Sequence, residues 1–268
     1  MKIKLILTTL MLALSGYSIA ANKVESQRVV SAMPIIQGIN QALLKGTDVE
    51  AIYLPPKRLP VSRINNWLKH KSGAAISKQG PVTAVVSIES IWPEYALFKH
   101  LRATNVRVIN VDAAQEILPG GAQVSLSAQD IEQSTYFWLA PDNLRVMSQI
   151  VSREFQRIWP EHAPTIRSNQ MALQKQISDY ALKLDETLLE HDVVAVCLDN
   201  TKLQPLAQAT YLPVEEECSE ALQIKSKSKK LEPQSGLWLV DTAIKPLKTD
   251  LAQWLSNNLN QLDQALQH

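Results

Sequence analysis

The chain has 268 residues, and its 27 Lys and Arg nearly balance 26 Asp and Glu, so a net charge of +1 gives no electrostatic reason to expect nucleic acid. Hydrophobic residues make up 46%, an ordinary globular share, and the two cysteines show no structural zinc spacing. The one strongly charged run, Lys225-Ser-Lys-Ser-Lys-Lys230, reads as a solvated loop, with a docking contact as its alternative.

The first residues have the pattern of an export signal. Lys2 and Lys4 precede an apolar core from Leu5 to Leu14 that is too short to span a bilayer, and Ser18-Ile19-Ala20 supplies small residues for cleavage. Residues 1–20 are therefore expected to be a signal peptide, with the mature chain beginning at Ala21. Tyr17 stands where a lipoprotein signal needs Cys, which points to a soluble periplasmic protein without a lipid anchor. In that oxidising compartment Cys197 and Cys218 can form a disulfide worth about 3 kcal/mol, or stay as two buried thiols. Both arrangements are open, because Cys197 lies inside the apolar run 193–198.

Residues 27–33 predict a first strand, ended by Pro34. Ile35, Ile36, Ile39, Leu43 and Leu44 then share a helical face as far as Gly46. Residues 49–54 form a second strand stopped by Pro55-Pro56, and Lys57 and Arg58 occupy the polar loop before a helix over 62–71. A β-branched third strand over 82–88 leads to a loop with Glu89, Trp92 and Glu94, then a helix over 95–103 and a fourth strand over 106–111. After a Gly120-Gly121 loop, a short apolar run from Ser134 stops at Pro141. Leu144, Met147, Val151, Phe155 and Ile158 then keep helical spacing until Trp159-Pro160. That helix of about 18 residues would run about 27 Å and is expected to bridge two lobes.

Beyond Pro160, Ile166, Leu173, Ile177, Tyr180, Leu184 and Leu188 mark a second long helix. A strand over 193–198, a short helix over 203–209, a possible strand over 210–214 and a strand over 236–240 follow. Leu251, Trp254, Leu255, Leu259, Leu262 and Leu266 line the last helix. The alternation predicts an α/β protein of two lobes with mainly parallel sheets, at 21–140 and 161–268, joined by a connecting helix at 141–160. The second lobe reads as lean in strands.

Ligands in parallel α/β sheets collect beyond the carboxyl ends of strands. The polar residues there are Lys57, Arg58, Glu89, Glu94, Asp112, Asp199 and Asp241. Carboxylates meeting from two lobes would hold a hard or borderline cation, whereas the same positions also suit helix caps and turns. No Gly-x-Ser-x-Gly elbow, His-Glu-x-x-His or Gly-rich phosphate loop is present, and the five histidines fall in helical or helix-end contexts. An enzyme using Glu89 as a general base would need a nucleophile or cofactor that no spacing supplies, so no covalent chemistry is expected.

The run Thr135-Tyr-Phe-Trp-Leu-Ala-Pro141, the long helix after it and the Trp159-Pro160-Glu161 break resemble the periplasmic solute-binding proteins of zinc and manganese ABC transporters. Trp138, Leu139 and Pro141 match that family's Pro-His-x-Trp-Leu-Asp-Pro-like segment, and Met33-Pro34, Leu54-Pro55-Pro56 and the length agree as well. The resemblance implies capture of a divalent metal, zinc or manganese, in an interlobe cleft, and delivery to an ABC permease by a monomer that does no chemistry. It also places Tyr136 at the family's central histidine and Ala140 at its acidic residue, and finds no histidine after Pro55-Pro56. Acidic positions remain: Asp199 and Asp241 in the second lobe, with Glu89 in the first. Tyr136 is a weak ligand at neutral pH, since a phenol ordinarily titrates near 10. Trp92, Lys57 and Arg58 would line the cleft. Three outcomes follow: a metal on the acids, a metal complex or small solute on Tyr136 and Trp92, or a ligand-free accessory protein that keeps the fold.

Overall fold

Residues 27–115 and 135–267 are described by a computed structural model, and the export signal and the Gly120-Gly121 loop lie outside them. Two four-stranded sheets, each wholly parallel, follow one another along the chain. The first takes β1 (Arg28–Ser31), β2 (Glu50–Tyr53), β3 (Ala84–Ser87) and β4 (Ile109–Asp112) in the order β2-β1-β3-β4. Every residue of β3 is buried, as its Ala-Val-Val-Ser composition allows for a strand covered on both faces. Helices α1 (Pro34–Leu43), α2 (Val61–Ser77) and α3 (Phe98–Arg102) make the crossovers.

The second sheet takes β5 (Val196–Leu198), β6 (Val214–Glu215), β7 (Leu222–Ser226) and β8 (Leu237–Val240) in the order β6-β5-β7-β8. Between the sheets run α4 (Pro141–Ile158) and α5 (Ala163–Glu190), packed on each other; α6 (Gln204–Gln208) and α7 (Leu251–Leu266) complete the second half. Pro141 at the first position of α4 supplies a preset φ and lacks only an amide hydrogen that the helix leaves unpaired anyway. The expected α/β architecture of two parallel sheets with a long helix between them is what the chain adopts.

Several local expectations need correction. Lys225 and Ser226 belong to β7, which pairs with both β5 and β8, so the lysine run begins inside the sheet and not in a loop. Residues 105–108 turn before β4: Asn105 accepts the Arg107 N–H through Oδ1 at 3.0 Å and donates to the Val82 carbonyl, leaving Val106 82% exposed. The strand expected from 193 begins only at Val196, after Asp192 takes a positive φ. Tyr211, also at positive φ, delays β6 to Val214. The helix expected over 95–103 is a 3-10 turn at Pro93–Tyr95 followed by the short α3. Cys197 and Cys218 are joined as a disulfide, tying β5 to the loop beyond β6.

The two halves touch closely along α1. A Cβ placed on Gly38 would lie 2.8 Å from Leu247 Cδ1, on the segment leading into α7. Glycine there lets the helix approach that segment.

Candidate functional site at the strand ends

One short aromatic turn sits against the carboxyl ends of both sheets. Phe137–Leu139 forms a 3-10 turn directly before α4, and Asn143 from the helix's first turn donates to the Phe137 carbonyl at 3.0 Å. The Tyr136 N–H donates to the carbonyl of Lys202, beyond β5, at 2.9 Å. Trp138 Nε1 donates to the carbonyl of Thr242, beyond β8, at 3.0 Å. On the other side the same residues stack on the loop after β3, with Trp92 centred 5.2 Å from Trp138 and 6.3 Å from Tyr136. Tyr95 extends the cluster at 5.1 Å from Trp92. Trp138 is fully buried, and Tyr136 is only 8% exposed. Burial raises the Tyr136 phenol above its ordinary value, which makes it a still poorer anionic ligand. Lys202 Nζ lies 5.9 Å from the centre of the Tyr136 ring, a second tie from the far side.

The acids at the second sheet's ends are exposed. Asp199 follows β5 in solvent, and its neighbour Asn200 caps the next turn by accepting the Lys202 N–H. Asp241 Oδ1 accepts the Ala243 N–H at 3.0 Å, while its backbone is held by Asn258 of α7. Trp254 Nε1 donates to the Asp241 carbonyl at 3.0 Å. Asp241 thus closes a turn, the structural role that strand-end acids commonly take.

The first sheet's ends are different. Asp112 is 6% exposed, and its carboxylate accepts the N–H of Ser90 at 2.7 Å and of Ala114 at 3.0 Å. Burial raises its pKa above the ordinary carboxylate range; those N–H donors pull it back, and the nearby charge of Glu89 pushes it up further. Glu89 is half-buried and accepts from Asn110 Nδ2. Ser87 Oγ, Asn110 Oδ1 and, in the loop after β3, Trp92 Nε1 are buried with no hydrogen-bond partner among the described residues, as is Tyr53 Oη two strands away at the end of β2. Lys57 and Arg58 are exposed in the loop beyond β2. Among the described residues no group of three or more His, Cys, Asp or Glu is placed to hold a metal ion.

Sequence reading singled out Glu89, Asp112, Tyr136 and Trp92 but passed over Ser87 and Asn110. The alternation in Ile109-Asn-Val-Asp112 was the available signal, since it puts Asn110 and Asp112 on one face of β4. A cavity of about 350 Å³ opens at the opposite, amino end of β3, lined by Ile76, Gly80, Val82, Leu101 and Asn105.

No family model and no curated protein matches the chain. Solved structures do. ZnuA is 17% identical with a TM-score of 0.60, covering 90% of this chain and all of that one. The SBP FpvC from Pseudomonas aeruginosa, in complex with Mn2+, is 12% identical at 0.64 over 91% and 99%. The Zn(II)-bound ZnuA-like domain of AdcA from Streptococcus pneumoniae is 13% identical at 0.61 over 90% and 99%. At such identities the likeness is one of fold, and it extends over nearly the whole described chain. Fold likeness alone does not transfer a ligand.

Proposed function

We propose that this chain is the extracytoplasmic solute-binding component of an ABC uptake system and captures a divalent cation, or a complex of one, at the strand ends of its two sheets. The observation that carries the reading is the turn 136–139, tied by hydrogen bonds beyond β5 and β8 and by ring contacts to the loop beyond β3. In parallel α/β proteins that edge is where ligands bind. The fold shared with structures described as Zn(II)- or Mn2+-bound supports a cation as cargo. The donors argue against a histidine-type zinc site: Tyr136 is buried and a poor ligand, and the acids are the remaining strong oxygen donors. Of these, Glu89 is half-buried at the first sheet's edge, while Asp199 and Asp241 are exposed at the second. The work is binding and release, not covalent chemistry. The protein acts in the periplasm after removal of residues 1–20, as a monomer that docks on a membrane permease through both lobes, 21–140 and 161–268, held apart by the helix at 141–160.

A second reading, a ligand-free accessory protein, is favoured by the packing of Trp92, Tyr95, Tyr136 and Trp138 against one another where a ligand would otherwise sit. Native mass spectrometry of the mature protein with Mn2+, Zn2+ and then chelator separates the two. Retention of one ion at micromolar concentration, removed by chelator, is the expected result. No retained ion of either kind sinks the capture reading and leaves the accessory one.

A further inference from the structure

Beside the aromatic turn, the carboxyl edge of β3 and β4 presents a set of oxygens with no ion-pair partner among the described residues. Ser87 pairs with Asp112 in the parallel ladder, and Val85 pairs with Asn110. Side chains two apart on a strand share a face, so Ser87, Asn110 and Asp112 project together, with neighbouring backbones about 4.8 Å apart. The turn after β3 folds back over them, because the Ser90 N–H is fixed on Asp112 and Glu89 is fixed on Asn110. Two carboxylates are thereby held near each other, and no Lys, Arg or His forms an ion pair with either among the described residues. Leaving such a pair uncompensated is unfavourable, and burial makes it more so.

The unpaired atoms point to what would compensate it. Ser87 is 3% exposed and its Oγ has no partner; Asn110 spends its Nδ2 on Glu89, leaving Oδ1 free. Each is an oxygen with lone pairs to give. Glu89 keeps its second carboxylate oxygen, and Asp112 retains acceptor capacity beyond its two N–H bonds. Carboxylate, amide and hydroxyl oxygens, with no nitrogen or sulfur, suit a hard cation that completes its shell with water.

We propose that Glu89, Asn110, Ser87 and Asp112 form an all-oxygen site for a hard divalent cation of the Mn2+, Ca2+ or Mg2+ kind, contained wholly within the first lobe. This rests on the capture reading and sharpens it: the cation's main ligands come from one sheet, and Asp199 and Asp241 are not needed to hold it. Asp112 also pins the turn after β3 through the Ser90 N–H and its own exit from β4 through the Ala114 N–H, so the cation and the turn carrying Trp92 share one support. Binding then tightens the loop on which the aromatic cluster stands.

The test is titration of the mature full-length protein, stripped by chelator, with Mn2+, following loss of the free ion's electron paramagnetic resonance signal. One bound ion is expected. Glu89→Gln removes a charged ligand and should weaken binding about tenfold or more, and Ser87→Ala several-fold. The Asp199→Ala/Asp241→Ala double variant should stay within about twofold of the wild type. Circular dichroism checks that each variant is folded, and the half-buried Glu89 keeps the test open if Ser87→Ala is not. Absence of any bound ion in the wild type overturns both this site and the capture reading. Binding that survives Glu89→Gln and Ser87→Ala overturns the site alone, because a buried water then serves the same oxygens; loss confined to the double variant does so while leaving capture intact.

Discussion

At the first sheet's carboxyl edge, Ser87, Asn110 and Trp92 keep polar atoms buried without partners, next to a half-buried Glu89. At the second sheet's edge, Asp199 stands in solvent and Asp241 closes a turn onto Ala243. Both edges come from four parallel strands with helical crossovers. Topology therefore brings polar residues to both edges, but only burial without compensation leaves an edge with unspent bonding capacity. The second edge has instead used its polar groups, and a disulfide, to fix its own loops. The turn 136–139 lies between the two, donating hydrogen bonds to carbonyls of the second and making ring contacts with the first.

Removing that shared turn is the most severe way to break the comparison. Trp138→Ala deletes a fully buried ring and the bond to the Thr242 carbonyl, and should lower stability by about 3–5 kcal/mol in urea unfolding. A loss under about 1 kcal/mol would mean that the two edges are not joined through it. Next in size is the disulfide. Cys197 and Cys218 are separated by 21 residues, and the Cys197→Ala/Cys218→Ala double variant should cost about 3 kcal/mol, with no further change on adding reductant. The metal affinity of that variant should hold if the second edge is structural.

Gly38→Leu probes the contact between the halves away from either edge. Its side chain would enter the space of Leu247 and Leu251, and a loss of about 1–3 kcal/mol is expected in the same assay. An unchanged midpoint would show that the segment before α7 yields freely. The smallest effects belong to the second edge. Asp241→Ala should cost about 1 kcal/mol for its turn bond, and the exposed Asp199→Ala should stay within about 0.5 kcal/mol.

Much of this was legible from residues alone. Runs such as 82–88 are apolar enough on both faces to announce a buried strand, and the spacing of Leu144, Met147, Val151 and Phe155 fixes α4 closely. β7 was not legible. It offers only Leu222 and Ile224 as buried apolar residues, and its end merges into a lysine run, so its central place between β5 and β8 depends on pairing, which sequence pattern does not encode. The two readings of Cys197 also divided on tertiary proximity alone. At the candidate site the acids could be named from their strand-end positions. Which of them are buried, spent on a turn or left facing unpaired oxygens depends on how the loops fold back, as Ser90 does onto Asp112.

The tryptophan indoles report which edge takes a cation. Trp92 follows β3 with its Nε1 unpartnered, while Trp254 donates its Nε1 to the Asp241 carbonyl. Mn2+ broadens resonances steeply with proximity, so substoichiometric Mn2+ added to the 15N-labelled protein should broaden the Trp92 indole signal before that of Trp254. Broadening of Trp254 ahead of Trp92 would put the ion at the second edge and contradict the assignment to Glu89, Asn110, Ser87 and Asp112.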